Sequence, residues 1–227
     1  MKKRLFIVLV LLAMVLFVSG CGKETDEKEG TKDMGGWSLR TNIKNTIPAE
    51  ADGVFKKAYD KYTDMKLEPI AYLGSQIVAG TNYMYLCTSD DDFKVVIVYN
   101  DLKDNAEITS VKDFDIRKYV NEEIDIKDDE LSGGWKASSE VGESTLTSEE
   151  RTIFDESTKE LLGVNYKPVA VLATQLVSGT NYAVLSVAET VTENPTYSVC
   201  LLTIYKDLEG KTKVTSVADI DLSEFND

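Results

Sequence analysis

Apolar residues recur along this chain in two rhythms, one helical and one strand-like, and the sequence passes through the pair twice. Across residues 49–66, Val54, Phe55, Ala58, Tyr62 and Met65 fall at spacings of three and four, with lysines and acids opposite, which predicts a helix. The rhythm then shortens. Pro69–Val78, Thr81–Thr88, Phe93–Tyr99 and Glu107–Val111 read as strands, rich in β-branched and aromatic residues and parted by polar turns at Ser89–Asp92 and Asp101–Asn105. The order returns at 148–162. There Thr147 with Glu150 makes a capping-box pattern, Ile153, Phe154, Leu161 and Leu162 supply the stripe, and Gly163 stands where a C-cap glycine belongs. Strands at Pro168–Val177, Thr180–Thr190, Thr196–Tyr205 and Lys213–Val217 follow. A short strand near Trp37–Ile43, and another near Trp135–Ser139, precede the two helices.

Wording repeats together with rhythm. Gln76-Ile77-Val78-Ala79-Gly80-Thr81-Asn82-Tyr83 matches Gln175-Leu176-Val177-Ser178-Gly179-Thr180-Asn181-Tyr182, and Gly35-Gly36-Trp37 matches Gly133-Gly134-Trp135. Trp37 precedes Gln76 by 39 residues and Trp135 precedes Gln175 by 40, so one structural unit occurs twice. The chain divides into 1–20, a signal; 21–34, a polar tether without periodicity; 35–120, the first unit; 121–131, an acidic linker; and 132–227, the second unit.

The first twenty residues combine a basic start (Lys2, Lys3, Arg4) with an apolar run from Leu5 to Val18, too short for a bilayer span. Val18-Ser19-Gly20-Cys21 then resembles a bacterial lipoprotein signal. That resemblance implies lipidation of Cys21 and a bacterial, extracytoplasmic protein anchored in the cell envelope. The alternatives are an ordinary secretory signal or a short anchor helix. A diacylglyceryl group brings two chains, which stable anchoring requires.

Removing the signal takes the formal charge from −14 to −17, a surface that repels nucleic acid. The chain contains no histidine, which excludes Ser-His-Asp and Cys-His catalysis and histidine-based zinc chemistry. No other catalytic constellation stands out, so the chain is read as a non-enzyme without a metal or cofactor. Cys87 and Cys200, in apolar strand-like runs, read as small hydrophobes and not as a disulfide.

Gly-Gly-Trp, a helix, then Gln-x-Val-x-Gly-Thr-Asn-Tyr between two strands resembles the cystatin family, twice over, across nearly all of residues 35–227. The resemblance implies an α+β fold of two tandem cystatin-like domains, each a curved antiparallel sheet wrapped on one helix. It also implies reversible steric blocking of papain-like cysteine peptidases. In the family three segments enter the peptidase cleft, and they map here onto three sets of residues. The arm corresponds to Gly35, Gly36, Gly133 and Gly134. The first hairpin is Gln76, Ile77, Val78, Ala79 and Gly80, with Gln175, Leu176, Val177, Ser178 and Gly179 in the second unit. Where the family carries Pro-Trp on a second hairpin, this chain reads Asn100-Asp101-Leu102-Lys103-Asp104 and Lys206-Asp207-Leu208-Glu209-Gly210, leaving Leu102 and Leu208 as the apolar anchors. Two alternatives stay open: the repeated turn persists because its glycine makes a good β-turn, or the fold is a non-inhibitory module holding a partner protein or an envelope polymer. Trp37 and Trp135 read as core residues or as interface aromatics.

Overall fold

The computed structural model describes residues 37–39, 47–90, 92–120, 135–137 and 146–226. In the first half, β1 (Trp37–Leu39), β2 (Glu68–Val78), β3 (Gly80–Ser89), β4 (Asp92–Asn100) and β5 (Ala106–Asp113) form an antiparallel meander in chain order. Helix α1 (Ala49–Tyr59) lies between β1 and β2 in sequence. The second half repeats this with β6 (Trp135–Ala137), α2 (Ser148–Thr158), β7 (Val164–Val177), β8 (Gly179–Thr190), β9 (Tyr197–Lys206) and β10 (Thr212–Ile220). Each sheet is thus four long strands with a three-residue strand along one side. A 3-10 turn ends each half, at Ile116–Lys118 and Leu222–Phe225. Asp115 and Asp221 start these turns, each carboxylate accepting from the backbone N–H two residues on, at 3.0 and 2.9 Å.

The two sheets pack face to face. Ile70, Leu73, Met84, Leu86, Val95 and Ile97 of the first share one core with Leu172, Ala183, Leu185, Val199 and Leu201 of the second. Phe114 and Phe225, beside the two 3-10 turns, meet there with ring centroids 6.2 Å apart. The outer face of each sheet carries a smaller cluster under its helix. Val54, Phe55 and Ala58 of α1 meet Tyr85, Cys87 and Val96; Ile153 and Phe154 of α2 meet Val184, Leu202 and Ile204. Successive strand residues point to opposite faces, so Val95 and Ile97 enter the shared core while Val96 and Val98 lie under the helix.

This arrangement corrects the expected α+β class of two cystatin-like domains, each sheet wrapped on one helix. The helices are short, 11 residues each, and the largest core lies between the sheets. The described residues form a β-rich sandwich with two small helices outside. The reason is coverage. An 11-residue helix is about 16 Å long and shields one side of one sheet, so the other apolar side of each sheet is buried against its twin.

Both helices stop earlier than their apolar spacing predicts. After Tyr59 the chain doubles back: Leu67 is buried under α1, and its N–H donates to the Tyr59 hydroxyl at 3.2 Å. In α2 the capping box is present, with Thr147 N–H donating to Glu150 (2.8 Å) and Glu150 N–H to Thr147 Oγ1 (3.2 Å). At its other end the hydroxyls of Ser157 and Thr158 both donate to the Phe154 carbonyl at 2.9 Å, competing with continued helical pairing. Gly163 therefore does not cap the helix, which ends at Thr158; it takes φ +85° in the following turn and accepts from Val191 N–H at 2.9 Å. Leu161 and Leu162, expected on the stripe, are exposed.

Cys87 and Cys200 are buried and unbridged, and burial raises both thiols, Cys200 to about 12. Among the described residues no helix is long and apolar enough to cross a membrane; the apolar run 5–18 and Cys21 lie outside the described residues. One margin of each sheet, β5 in the first and β10 in the second, carries a bulge, at Thr109 and Thr215. The two hydroxyls donate back to Ile97 (3.3 Å) and Thr203 (3.0 Å) carbonyls.

Candidate functional site

The antiparallel register brings three segments to one end of each sheet: the start of the short strand and two turns. In the first sheet Trp37 pairs with Gln76, Asn82 with Tyr99, and Asn100 with Ala106. In the second, Trp135 pairs with Gln175, Asn181 with Tyr205, and Lys206 with Thr212. Gly35, Gly36, Gly133 and Gly134, proposed from sequence as parts of the site, lie outside the described residues. They precede Trp37 and Trp135 directly in sequence.

The repeated words of the first turn have internal tasks. Gln76 faces Asn82 across β2 and β3, and the Asn82 amide donates to Gln76 Oε1 at 2.8 Å. Asn181 donates to Gln175 in the same way at 2.6 Å, within a buried pair. Gly80 pairs with Val78 across a turn whose single intervening residue is Ala79, and takes φ +140°. A Cβ at this position would stand 2.5 Å from the Asn100 carbonyl oxygen and 2.8 Å from the Tyr99 ring. The Tyr99 hydroxyl reaches past the glycine to donate to the Ala79 carbonyl at 2.5 Å. In the second unit Gly179 (φ +128°) sits under Tyr205, whose hydroxyl donates to the Ser178 carbonyl. The glycine is buried beneath a tyrosine and does not form the open point of the turn.

The second turn is equally built. The Asp101 carboxylate accepts from the N–H groups of Lys103 and Asn105 (2.8 Å each) and from the Asn105 side chain (2.9 Å), which together hold it below the usual carboxylate range. Asp104 takes the left-handed backbone (φ +64°), a position held by Gly210 (φ +85°) in the other unit. Helices tie down these turns. Lys57 of α1 pairs with Asp104, and Glu149 of α2 accepts from Lys206 at 2.8 Å; both acids are held low by these lysines.

What remains outward at this end is apolar on the first turns, and an apolar apex among charged and polar residues on the second. Ile77 and Val78 are 38% and 44% exposed, Leu176 and Val177 67% and 38%, and Leu102 and Leu208, at the second turns, 87% and 81%. Ala79 and Ser178 are exposed between them. The structure thus brings the sequence-selected turn residues together at one end of each sheet. It gives Gln76, Gln175, Gly80 and Gly179 structural tasks and leaves the apolar residues to solvent. Sequence reasoning missed Tyr99, Tyr205 and Asp101. The signal for them is present: Tyr99 and Tyr205 stand at the same offset as the repeated turn that follows each.

Trp37 does not join the exposed set; it packs against the shared core. Comparison with protein-family models, curated proteins and solved structures returned no match.

Proposed function

We propose that the chain is a lipid-anchored, extracytoplasmic bacterial protein that blocks papain-like cysteine peptidases by occluding the cleft with these turns. One observation carries the reading: each sheet end holds exposed aliphatic side chains on turns braced from within by tyrosine, asparagine and aspartate hydrogen bonds. A soluble fold gains nothing by exposing Val78, Leu102, Leu176 and Leu208 on rigid turns, whereas a groove in a partner gains dry contact without ordering them first. The motif resemblance to the cystatin family names the class of groove; no fold is carried over with it. Blocking is steric, with no bond made or broken by the inhibitor. Anchoring through a lipid on Cys21 would hold the molecule at the envelope surface.

The test uses the chain from residue 22 onward, titrated into papain. Stoichiometric loss of activity is expected. Val78→Asp with Val177→Asp should weaken inhibition at least about 30-fold, since a buried interface anchor commonly carries about 2 kcal/mol. Gly80 and Gly179 are poor test positions, because any side chain there breaks the turn itself. Absence of inhibition at micromolar concentration, with the circular dichroism spectrum of a folded chain, sinks the inhibitor reading. That outcome favours a binding module for a partner protein or an envelope polymer, for which leucine in place of tryptophan at both second turns is the supporting observation.

A further inference from the structure

Comparing the two sheet ends position by position separates residues with an inward task from residues facing out. The inward ones are the same in both units: Gln, Gly and Asn of the first turn, the covering tyrosine, and the aspartate that organises the second. Two outward positions are also the same, Val78 with Val177 and Leu102 with Leu208. The remaining exposed positions differ: Ile77 against Leu176, Ala79 against Ser178, Lys103 against Glu209, Asp104 against Gly210, and Asn105 against Lys211.

The exchange of Lys103 for Glu209, each directly after its apex leucine, reverses charge at an exposed point of the second turn. In the first unit the acids beside Lys103 are occupied, Asp101 within its own turn and Asp104 by Lys57 and Asn100. In the second unit Lys206 is held by Glu149, and Lys213 lies over the Tyr205 ring at 5.6 Å. Lys211 is the other exposed cation of that turn, where the first unit has Asn105. Lys103 and Glu209 are both exposed and enter no side-chain ion pair among the described residues.

We infer that the two ends are tuned to different members of one class of groove: shared Val and Leu anchors fix the class, and Lys103 and Glu209 discriminate by the charge of the groove's rim. The inference rests on the groove-blocking function proposed above. An anionic rim favours the first end and a cationic rim the second, chiefly through association rate, because rim charges steer encounter more than they hold the complex.

The experiment uses full-length mature chains with one end disabled, Val177→Asp/Leu208→Asp or Val78→Asp/Leu102→Asp. Association rates are measured by stopped flow against one papain-like peptidase with an acidic cleft rim and one with a basic rim. The two single-ended chains should rank the peptidases in opposite order. Lys103→Glu in the first and Glu209→Lys in the second should each shift the ratio of rates about tenfold toward the other order at low salt, and the shift should collapse near 0.5 M salt. Equal ranking by both chains, or ratios unmoved by the charge exchanges, overturns the inference while leaving inhibition intact. Failure of the intact chain to block either peptidase removes the groove reading, and this inference with it.

Discussion

The Trp37 indole N–H donates to the Asn226 side-chain oxygen at 2.7 Å, across a sequence separation of 189 residues. The Asn226 backbone carbonyl accepts from Lys112 at 2.6 Å, so the last turn of the second half is tied to two strands of the first. Together with the shared core, this makes the halves interdependent. Unfolding of the chain from residue 22 onward should be a single cooperative transition, with calorimetric and van't Hoff enthalpies equal. Leu172→Ala, in the inter-sheet core, should cost about 2–5 kcal/mol and lower that one transition. Residues 35–120 expressed alone should expose their inter-sheet face and bind a hydrophobic dye; a monomeric, dye-silent first half would contradict the packing.

Tyr99→Phe and Tyr205→Phe remove one hydroxyl each from over the turn glycine and should cost about 1 kcal/mol apiece in urea titrations. Gly80→Ala should cost more, at least about 2 kcal/mol, because the added carbon meets backbone and ring at once in a positive-φ conformation. If the glycine variant is no less stable than the tyrosine variant, the tyrosine does not lie over the turn.

The asparagine clamp gives a graded pair. Asn181→Ala removes the donor to a buried glutamine and should cost about 1–3 kcal/mol, while Asn82→Ala, in the half-exposed first unit, should cost nearer 1 kcal/mol. Reversal of that order would mean that burial does not set the cost here.

Thr203 Oγ1 is buried without a hydrogen-bond partner. Thr203→Val keeps the shape and removes the unsatisfied hydroxyl, so it should raise stability by about 1 kcal/mol, read as a higher urea midpoint at unchanged slope.

Acid should destabilise the fold below the ordinary carboxylate range. Asp104, Asp115, Asp101, Glu149, Glu189 and Asp221 are all held low, by Lys57, Arg117, Asn105, Lys206, Lys167 and Ser223 respectively. A depressed folded value means that the folded state binds fewer protons than the unfolded one in that window. The stabilisation is complete above about pH 5 and is lost as pH falls through the lowered values. Urea midpoints should hold from pH 7 to about 5 and then decline; a midpoint that rises between pH 4 and 2 would contradict these assignments.

Strands were legible because β-branched and aromatic runs between polar turns have few alternatives, and their predicted limits fall within one to four residues of those observed. The helices overran because Tyr62, Met65, Leu161 and Leu162 continue the three-and-four spacing past the point where other bonds end the helix. The sheet-on-sheet layer was missed although a signal existed. Val95-Val96-Ile97-Val98 and Cys200-Leu201-Leu202 are unbroken apolar runs, buried throughout. A strand covered on one side only would alternate, so such runs mark cover on both. At the site, spacing located the turns, but only packing reveals that the repeated glycine serves the tyrosine above it and that the valines and leucines are the ones left outside.

The bulges on β5 and β10 have a consequence for how two copies of this protein meet. A straight, unpaired margin is a template on which neighbours can stack into fibres. Here a threonine breaks each margin's hydrogen-bonding pattern midway and turns its hydroxyl back onto the adjoining strand. Along β5 and β10 a neighbouring molecule therefore finds no continuous row of free amides to join, and strand addition at these two margins is blocked midway.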